Sequence, residues 1–236
     1  MELKPIKNSK VYEQVIDQIK QLIYTGQVKR GDKLPSERKL KEQLDVSRAS
    51  IREAFSALEM IGLIESRPGE GTFIKTSSDK NVLEPLSIVL MLEENNIRDL
   101  IELRKLLEVN SAKLAAMRRN QEELQEMEKQ IKKLADSSCF EEKSVRADEN
   151  FHFAIARAGQ NKVLYFIMVS ISELINYQIY NIRTKLVSKE RAIKTFLEQH
   201  RLIYEAIKIK DSEQAAEAMA KHLDYVAELT TNEIEG

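Results

Sequence analysis

The chain has 236 residues, of which 32% are charged, with a formal net charge of −1, one cysteine, seven glycines and four prolines. This length predicts two domains, and so few glycines and prolines favour long helices over a β-sandwich or barrel. The single cysteine, Cys139, excludes an intrachain disulfide framework and fits a reducing compartment. The longest apolar stretch, residues 163–169, is too short for a membrane span, and no signal-like run is seen, so we expect a cytoplasmic protein.

The charges are distributed unevenly along the chain. Residues 1–76 carry 14 Lys or Arg against 11 Asp or Glu, whereas residues 77–236 carry 23 against 27. The net charges of the two parts are therefore +3 and −4. This bias permits nucleic-acid binding by the first part without requiring it. Whether that part binds nucleic acid must therefore be judged from the positions of its basic residues.

The first 76 residues predict a helix, a helix-turn-helix and a β-hairpin. Apolar residues recur at helical spacing from Val11, and Gly26 ends that helix. Ser36 and Ser47 stand where N-caps are expected, before a second and a third helix. The predicted elements are helices over 11–25, 37–43 and 48–61 and strands over 63–66 and 72–74. This order is that of a winged helix-turn-helix.

The third predicted helix opens with two arginines. Arg48 and Arg52 are four residues apart and share a face, where both could enter a DNA major groove and bind guanine. Ser47 and Ser50 can add hydrogen bonds to phosphates or bases. A solvated surface formed by these arginines, with Glu53 nearby, is an alternative that spacing alone does not exclude.

Segments 31–40, 46–54 and 69–73 together resemble the winged helix of the GntR family. The resemblance covers most of residues 9–76 and implies DNA binding. It implies that Arg38 contacts a phosphate or a base and that Gly69, in the wing, contacts the minor groove. The residues that it implies for base recognition are Ser47, Arg48, Ser50 and Arg52.

The rest of the chain predicts an all-helical domain. The polar residues 77–82 lack periodicity and are expected to be a linker between domains at 1–76 and 83–236. No strand pattern follows. The predicted helices span residues 83–93, 97–118, 121–136, 141–158, 161–186, 190–209 and 212–231.

All three histidines of the chain lie in this second domain. Asp148 and His152 are one turn apart on one helix, a spacing that a shared metal ion requires. His200 and His222 are each eleven residues, about 16 Å of helix, from Asp211 in a predicted turn, so two antiparallel helices would bring them to the same height. Hydrogen-bonded core histidines are the alternative to metal ligands.

Arg104 lies among apolar residues of a predicted helix and needs a partner for its charge. The structural alternative is an ion pair with Glu108, four residues later. The functional alternative is that the planar guanidinium of Arg104 binds the carboxylate of an effector through two N–H groups.

Residues 148–152, His200 and residues 218–223 resemble the FCD domain of FadR-type GntR regulators, over residues 83–230. Metal-binding members use one Asp and three His, so the resemblance implies a metal site of four residues: Asp148, His152, His200 and His222. It also implies effector binding by Arg104, with hydroxy, keto or sugar acids as typical ligands. Zinc is the expected ion, with nickel and cobalt as alternatives.

These features predict a sequence-specific DNA-binding transcriptional regulator rather than an enzyme. Its operator affinity is expected to be controlled by a small carboxylate bound beside a metal ion in the C-terminal domain. We expect a repressor that binds a near-palindromic operator as a homodimer. A metalloenzyme is the rival interpretation, but the chain lacks a His-Glu-x-x-His arrangement and has only one Glu-x-x-His segment, Glu149 to His152. A second rival is an architectural DNA-binding protein whose helical domain only dimerises.

Overall fold

The computed structural model describes residues 10–76, 97–136, 142–172 and 190–234. The chain divides into two compact units, Met1–Val82 and Leu83–Gly236. The predicted linker at 77–82, the predicted helix at 83–93 and the end of the one predicted at 161–186 lie outside the described residues. Within those residues, no helix combines the length and apolar character needed to cross a membrane.

The N-terminal unit contains three helices and an antiparallel hairpin, as the sequence predicted. The helices are α1 (Val11–Tyr24), α2 (Glu37–Leu44) and α3 (Arg48–Met60), and the strands are β1 (Ile64–Arg67) and β2 (Gly71–Ile74). The strands pair in the register Ile64 to Ile74 and Arg67 to Gly71. The predicted winged helix-turn-helix is confirmed, and no boundary differs from its predicted position by more than one residue.

Both predicted caps are formed. The Ser36 hydroxyl accepts a hydrogen bond from Lys39 N at 3.3 Å, and the Ser47 hydroxyl accepts one from Ser50 N at 3.1 Å. Between the two helices, Asp45 has a left-handed backbone with φ 51°, which turns the chain from α2 into α3. The caps satisfy N–H groups that have no partner within the helices and so fix where each helix begins.

A core between α1, α3 and the hairpin holds this unit together. Its buried apolar residues include Val15, Ile19, Ile51, Phe55, Leu58, Ile64 and Ile74. Ile61, the last residue of the third helix as predicted, is 44% exposed. It follows the last residue of α3, and Gly62, with φ 70°, then turns the chain away.

The C-terminal unit is helical wherever it is described. Its helices are α4 (Ile97–Arg118), α5 (Gln121–Asp136), α6 (Glu142–Ala158), α7 (residues 162–172), α8 (Glu190–Lys208) and α9 (Ser212–Ile234). Helix α4 packs against α6, α8 and α9, α5 packs against α6 and α8, and α8 packs against α9. The predicted helical bundle is confirmed for these residues.

The apolar core of the bundle surrounds a group of buried polar residues. Phe151, Ile203, Ile207, Met219 and Leu223 are among its fully buried side chains. Helices α4, α6, α8 and α9 each contribute polar residues to this interior, namely Arg104, Glu108, Asp148, His152, His200 and His222. Because buried charged groups are costly unless they have partners, this group is the strongest candidate for a functional site.

Candidate functional site

Three histidines and an aspartate meet inside the C-terminal unit. His152 lies on α6, His200 on α8 and His222 on α9, and all are buried. One ring nitrogen from each histidine lies within 4.8 Å of the other two. Asp148 Oδ1 is 3.0 Å from His200 Nε2 and 4.0 Å from His152 Nε2. Three of the four residues predicted as metal ligands, the histidines, therefore form one cluster, and the fourth, Asp148, contacts two of them.

The outer nitrogens of two rings contact neighbouring acceptors. His200 Nδ1 is 2.7 Å from the carbonyl oxygen of Phe196, one turn earlier on α8. His222 Nδ1 is 3.1 Å from Oε1 of Gln199. A proton on Nδ1 that is held in this way leaves the lone pair of Nε2 available to bind a metal ion.

The third ring is connected to Arg104 through Glu108. Arg104 Nε pairs with Glu108 Oε1, and Glu108 Oε2 contacts His152 Nδ1. Burial raises the pKa of Glu108, but the charges of Arg104 and His152 outweigh this and lower that pKa to about 2. Burial lowers the pKa of Arg104, and the charges of Glu108 and Asp148 more than compensate, so the net shift is upward. Glu108 and Arg104 are thus both charged in the interior.

The chemistry of the histidine cluster fits a metal ion. Within the described part of the chain, His152 Nδ1 and Glu108 Oε2 contact each other as an ion pair without hydrogen-bond geometry. The buried Nε2 atoms of His152 and His200 also have no hydrogen-bond partner, although Asp148 Oδ1 lies near the second of them. Buried polar atoms rarely stay unpaired, and a metal ion would satisfy both. Burial and the neighbouring His200 and His152 lower the pKa of His222 well below its ordinary value. A neutral imidazole is the form that binds metal.

The start of α3 presents exposed basic side chains. Arg48 and Arg52 are both exposed, and neither pairs with another described residue, including Glu53. This exposed surface fits both the DNA-reading interpretation and the solvated-surface alternative. Ser47 Oγ lies 2.9 Å from Ser50 Oγ and also caps α3, so Ser47 has a structural role whatever else it contacts.

The other two residues of the predicted DNA-binding set are also at the surface. Arg38 on α2 is exposed, with Nε 3.9 Å from Glu42 Oε1. Gly69 lies in the turn between β1 and β2 with φ +76°, and no atom lies within 4 Å of the position a Cβ would take. Glycine tolerates this conformation and leaves the backbone of the wing open to close approach.

Comparison with known families assigns both units. Residues 11–74 match the model described as "Bacterial regulatory proteins, gntR family", and residues 99–225 match the FCD domain. The chain belongs to the GntR family. It is a DNA-binding transcriptional regulator with an FCD effector-binding domain, and the matched families are regulators rather than enzymes.

Relatives of this GntR regulator match along nearly the whole chain. The HTH-type transcriptional regulator LutR of Bacillus subtilis is 35% identical over 91% of this chain and 98% of its own length. A putative L-lactate dehydrogenase operon regulatory protein of Escherichia coli is 32% identical over 91% of this chain and 84% of its own. A solved structure of Streptococcus agalactiae GntR superposes with a TM-score of 0.66 and 32% identity, covering 91% of this chain and 98% of that one.

Two residues of the GntR regulator's buried site were missed by the sequence analysis. Glu108 was considered only as an ion-pair partner of Arg104, yet it also contacts His152. Gln199 was not considered, although it contacts His222. The spacing of Arg104 and Glu108 placed both on one helix face, but it gave no signal that Glu108 lies beside a histidine. No signal in the sequence distinguished Gln199.

Proposed function

We propose that this protein is a transcriptional repressor whose operator affinity is controlled by a small carboxylate bound beside a metal ion. The observation that carries the proposal is a buried cluster of three histidines, with Asp148 in contact with His200 and Arg104 close by. Two histidine nitrogens without hydrogen-bond partners support the proposal of a metal ion, and a buried guanidinium supports the proposal of an anionic effector. The FCD domain supports effector control.

The proposed ligands are Asp148, His152, His200 and His222. A set of three imidazoles and one carboxylate suits borderline divalent ions, so zinc is proposed, with nickel or cobalt as alternatives. When bound, the ion would supply a positively charged binding point for an effector oxygen. The competing possibility is that four protein ligands complete a tetrahedral zinc site, which would make the ion purely structural.

Arg104 is the proposed anchor for the effector carboxylate. Its ion pair with Glu108 is made through Nε, and the terminal nitrogens of the guanidinium are not part of that pair. A guanidinium presents several donors in a planar fork, so it can hold a second carboxylate. The name of the Escherichia coli relative refers to L-lactate dehydrogenase, and lactate is a hydroxy acid. We propose a hydroxy, keto or sugar acid as the effector.

The exposed start of α3 is the proposed DNA-reading surface. Arg48 and Arg52 would contact base edges, with Ser47 and Ser50 in support. Arg38 would contact a phosphate or a base, and Gly69 would contact the minor groove. One short helix reads few base pairs, so we propose that a homodimer binds two half-sites of a near-palindromic operator.

Thermal unfolding of the metal-loaded protein tests the effector proposal. L-lactate, citrate and gluconate would be added separately, with the metal-free protein in parallel. A ligand that binds only the folded state stabilises it, by about 2.7 kcal/mol at a concentration 100 times its Kd. We expect at least one acid to raise the Tm of the metal-loaded protein and not that of the metal-free protein. Equal shifts in both would show that the acid does not bind beside the metal.

Replacing Arg52 by alanine should relax the operator preference. Each lost base contact costs about 1 to 3 kcal/mol per half-site and affects the specific site more than random DNA. The operator would be selected from a random library, and affinities for operator and random DNA measured at one salt concentration. Lys20→Ala on α1 removes an exposed charge from the same unit and is the control. Equal discrimination by Arg52→Ala and wild type would exclude Arg52 from base reading.

A further inference from the structure

Glu108 contacts both parts of the proposed ligand-binding site. One carboxylate oxygen pairs with Arg104 Nε, and the other contacts His152 Nδ1. Their side chains are 9%, 4% and 4% exposed for Arg104, Glu108 and His152, so the contacts are shielded from water. The three residues form a continuous buried series from the guanidinium to the ring whose Nε2 faces the other histidines.

We propose that Glu108 is a positioning residue that couples the effector anchor to the metal site. This inference rests on the proposed function. A carboxylate on the outer nitrogen of a histidine holds the ring and its tautomer in place and increases the basicity of the inward nitrogen. His200 and His222 have uncharged oxygen acceptors at the same position, from Phe196 and Gln199. His152 therefore differs from both in having a carboxylate there.

The second contact of Glu108 gives this carboxylate its coupling role. Because Arg104 holds the same carboxylate, a change at the guanidinium alters the position and charge environment of Glu108. Glu108 contacts His152 directly, so a change at Arg104 reaches that ring through one intervening side chain. An anion that binds Arg104 would therefore affect metal affinity, and metal would affect anion affinity by the same factor.

The test measures Zn²⁺ affinity by chelator competition in the full-length protein. Glu108→Gln keeps the size of the side chain and removes its charge, and we expect a 10- to 100-fold weaker affinity. Glu102→Gln makes the same chemical change at an exposed position on α4 and is the matched control. We expect that control to bind Zn²⁺ as wild type does. An equal affinity of the two variants would overturn the proposal.

The coupling to Arg104 is tested with a double-mutant cycle. Arg104→Gln should weaken Zn²⁺ binding when Glu108 is present and have no further effect in the Glu108→Gln background. Additive effects would overturn the coupling, since groups that do not interact contribute independently. If Glu108→Gln does not fold, the double variant Arg104→Gln/Glu108→Gln, which leaves neither charge unpaired, is compared with Arg104→Gln. Equal Zn²⁺ affinities of those two would overturn the proposal.

The proposed function fails by a different result. If wild type does not bind Zn²⁺, or if His200→Ala binds it equally well, the proposed metal site itself is wrong. If wild type binds Zn²⁺ and His200→Ala does not, the proposed metal site is retained. The Glu108 variants then test whether Glu108 is a positioning residue. The absorption spectrum of the Co²⁺-loaded proteins gives a second readout, because it responds to a changed ligand arrangement. We expect Glu108→Gln to alter this spectrum and Glu102→Gln to leave it unchanged.

Discussion

The His200→Ala variant is expected to lose its metal ion, with metal content falling from about one ion per chain to near zero after dialysis against a chelator. His200 is in the middle of the cluster: its Nε2 is 3.0 Å from Asp148 Oδ1, and its ring centroid is 4.5 Å from that of His222 and 5.4 Å from that of His152. Removing it would leave three ligands around a gap. Elemental analysis of the dialysed proteins measures the outcome.

Metal-dependent stability provides a second measurement for the same variant. Zinc at 1,000 times its Kd should stabilise wild type by about 4 kcal/mol and should not stabilise His200→Ala. Ile203→Ala is the control, because Ile203 is fully buried on the same helix and is not a proposed ligand. That variant should lose about 2 to 5 kcal/mol by leaving a cavity, yet keep its metal. Full metal retention by His200→Ala would refute the proposed ligand set.

The helices of both units could be predicted because their apolar residues repeat with helical period and their ends carry local signals. The predicted helices at 97–118 and 121–136 match α4 and α5. Ser36 and Ser47 mark helix starts through hydrogen bonds to residues only three positions away. Such contacts depend on the local sequence and need no knowledge of the tertiary structure.

The approach of His200 and His222 could also be anticipated from the sequence. Both are equally distant from Asp211, and helices α8 and α9 pack against each other on either side of it. Equal distance from a tight turn brings two residues to the same height in an antiparallel pair. The ring centroids are 4.5 Å apart.

The contact of Glu108 with His152 could not be predicted by such spacing. It depends on how α4 packs against α6, and no local pattern fixes that rotation. For Arg104, sequence spacing allowed both an ion pair and an effector contact. The ion pair with Glu108 is formed, and because it uses Nε it leaves the effector contact open to experiment.

A short pairing in the N-terminal unit was missed for the same reason. No element was predicted between residues 25 and 37, yet Leu34 N donates to Thr72 O at 2.8 Å and Ile74 N donates to Asp32 O at 2.9 Å. This segment therefore runs along β2 beside the wing. Its few residues carry no alternating pattern, and the pairing arises only once the hairpin is in place.

Substitution of Arg104 should abolish the response of operator binding to the effector. An acid can change operator affinity only if it prefers the conformation that binds DNA less well, and the proposed anchor provides that preference through charge-assisted hydrogen bonds. Hydrogen bonds to charged groups contribute about 1.5 to 3 kcal/mol, so losing the anchor should weaken the acid by about 10- to 150-fold. Operator affinity of the metal-loaded protein, measured during titration with L-lactate, citrate or gluconate, gives the result.

The choice of variant matters because Arg104 also neutralises Glu108. Arg104→Ala leaves a buried carboxylate without its partner, which can cost about 3 to 5 kcal/mol of stability. Arg104→Lys keeps a positive charge for Glu108 but lacks the planar fork that holds a carboxylate with two parallel bonds. We therefore expect Arg104→Lys to remain folded and metal-bound and to repress, while needing much more acid for release. An acid that shifts operator affinity equally in wild type and both variants would place the effector elsewhere and leave Arg104 as the ion-pair partner of Glu108.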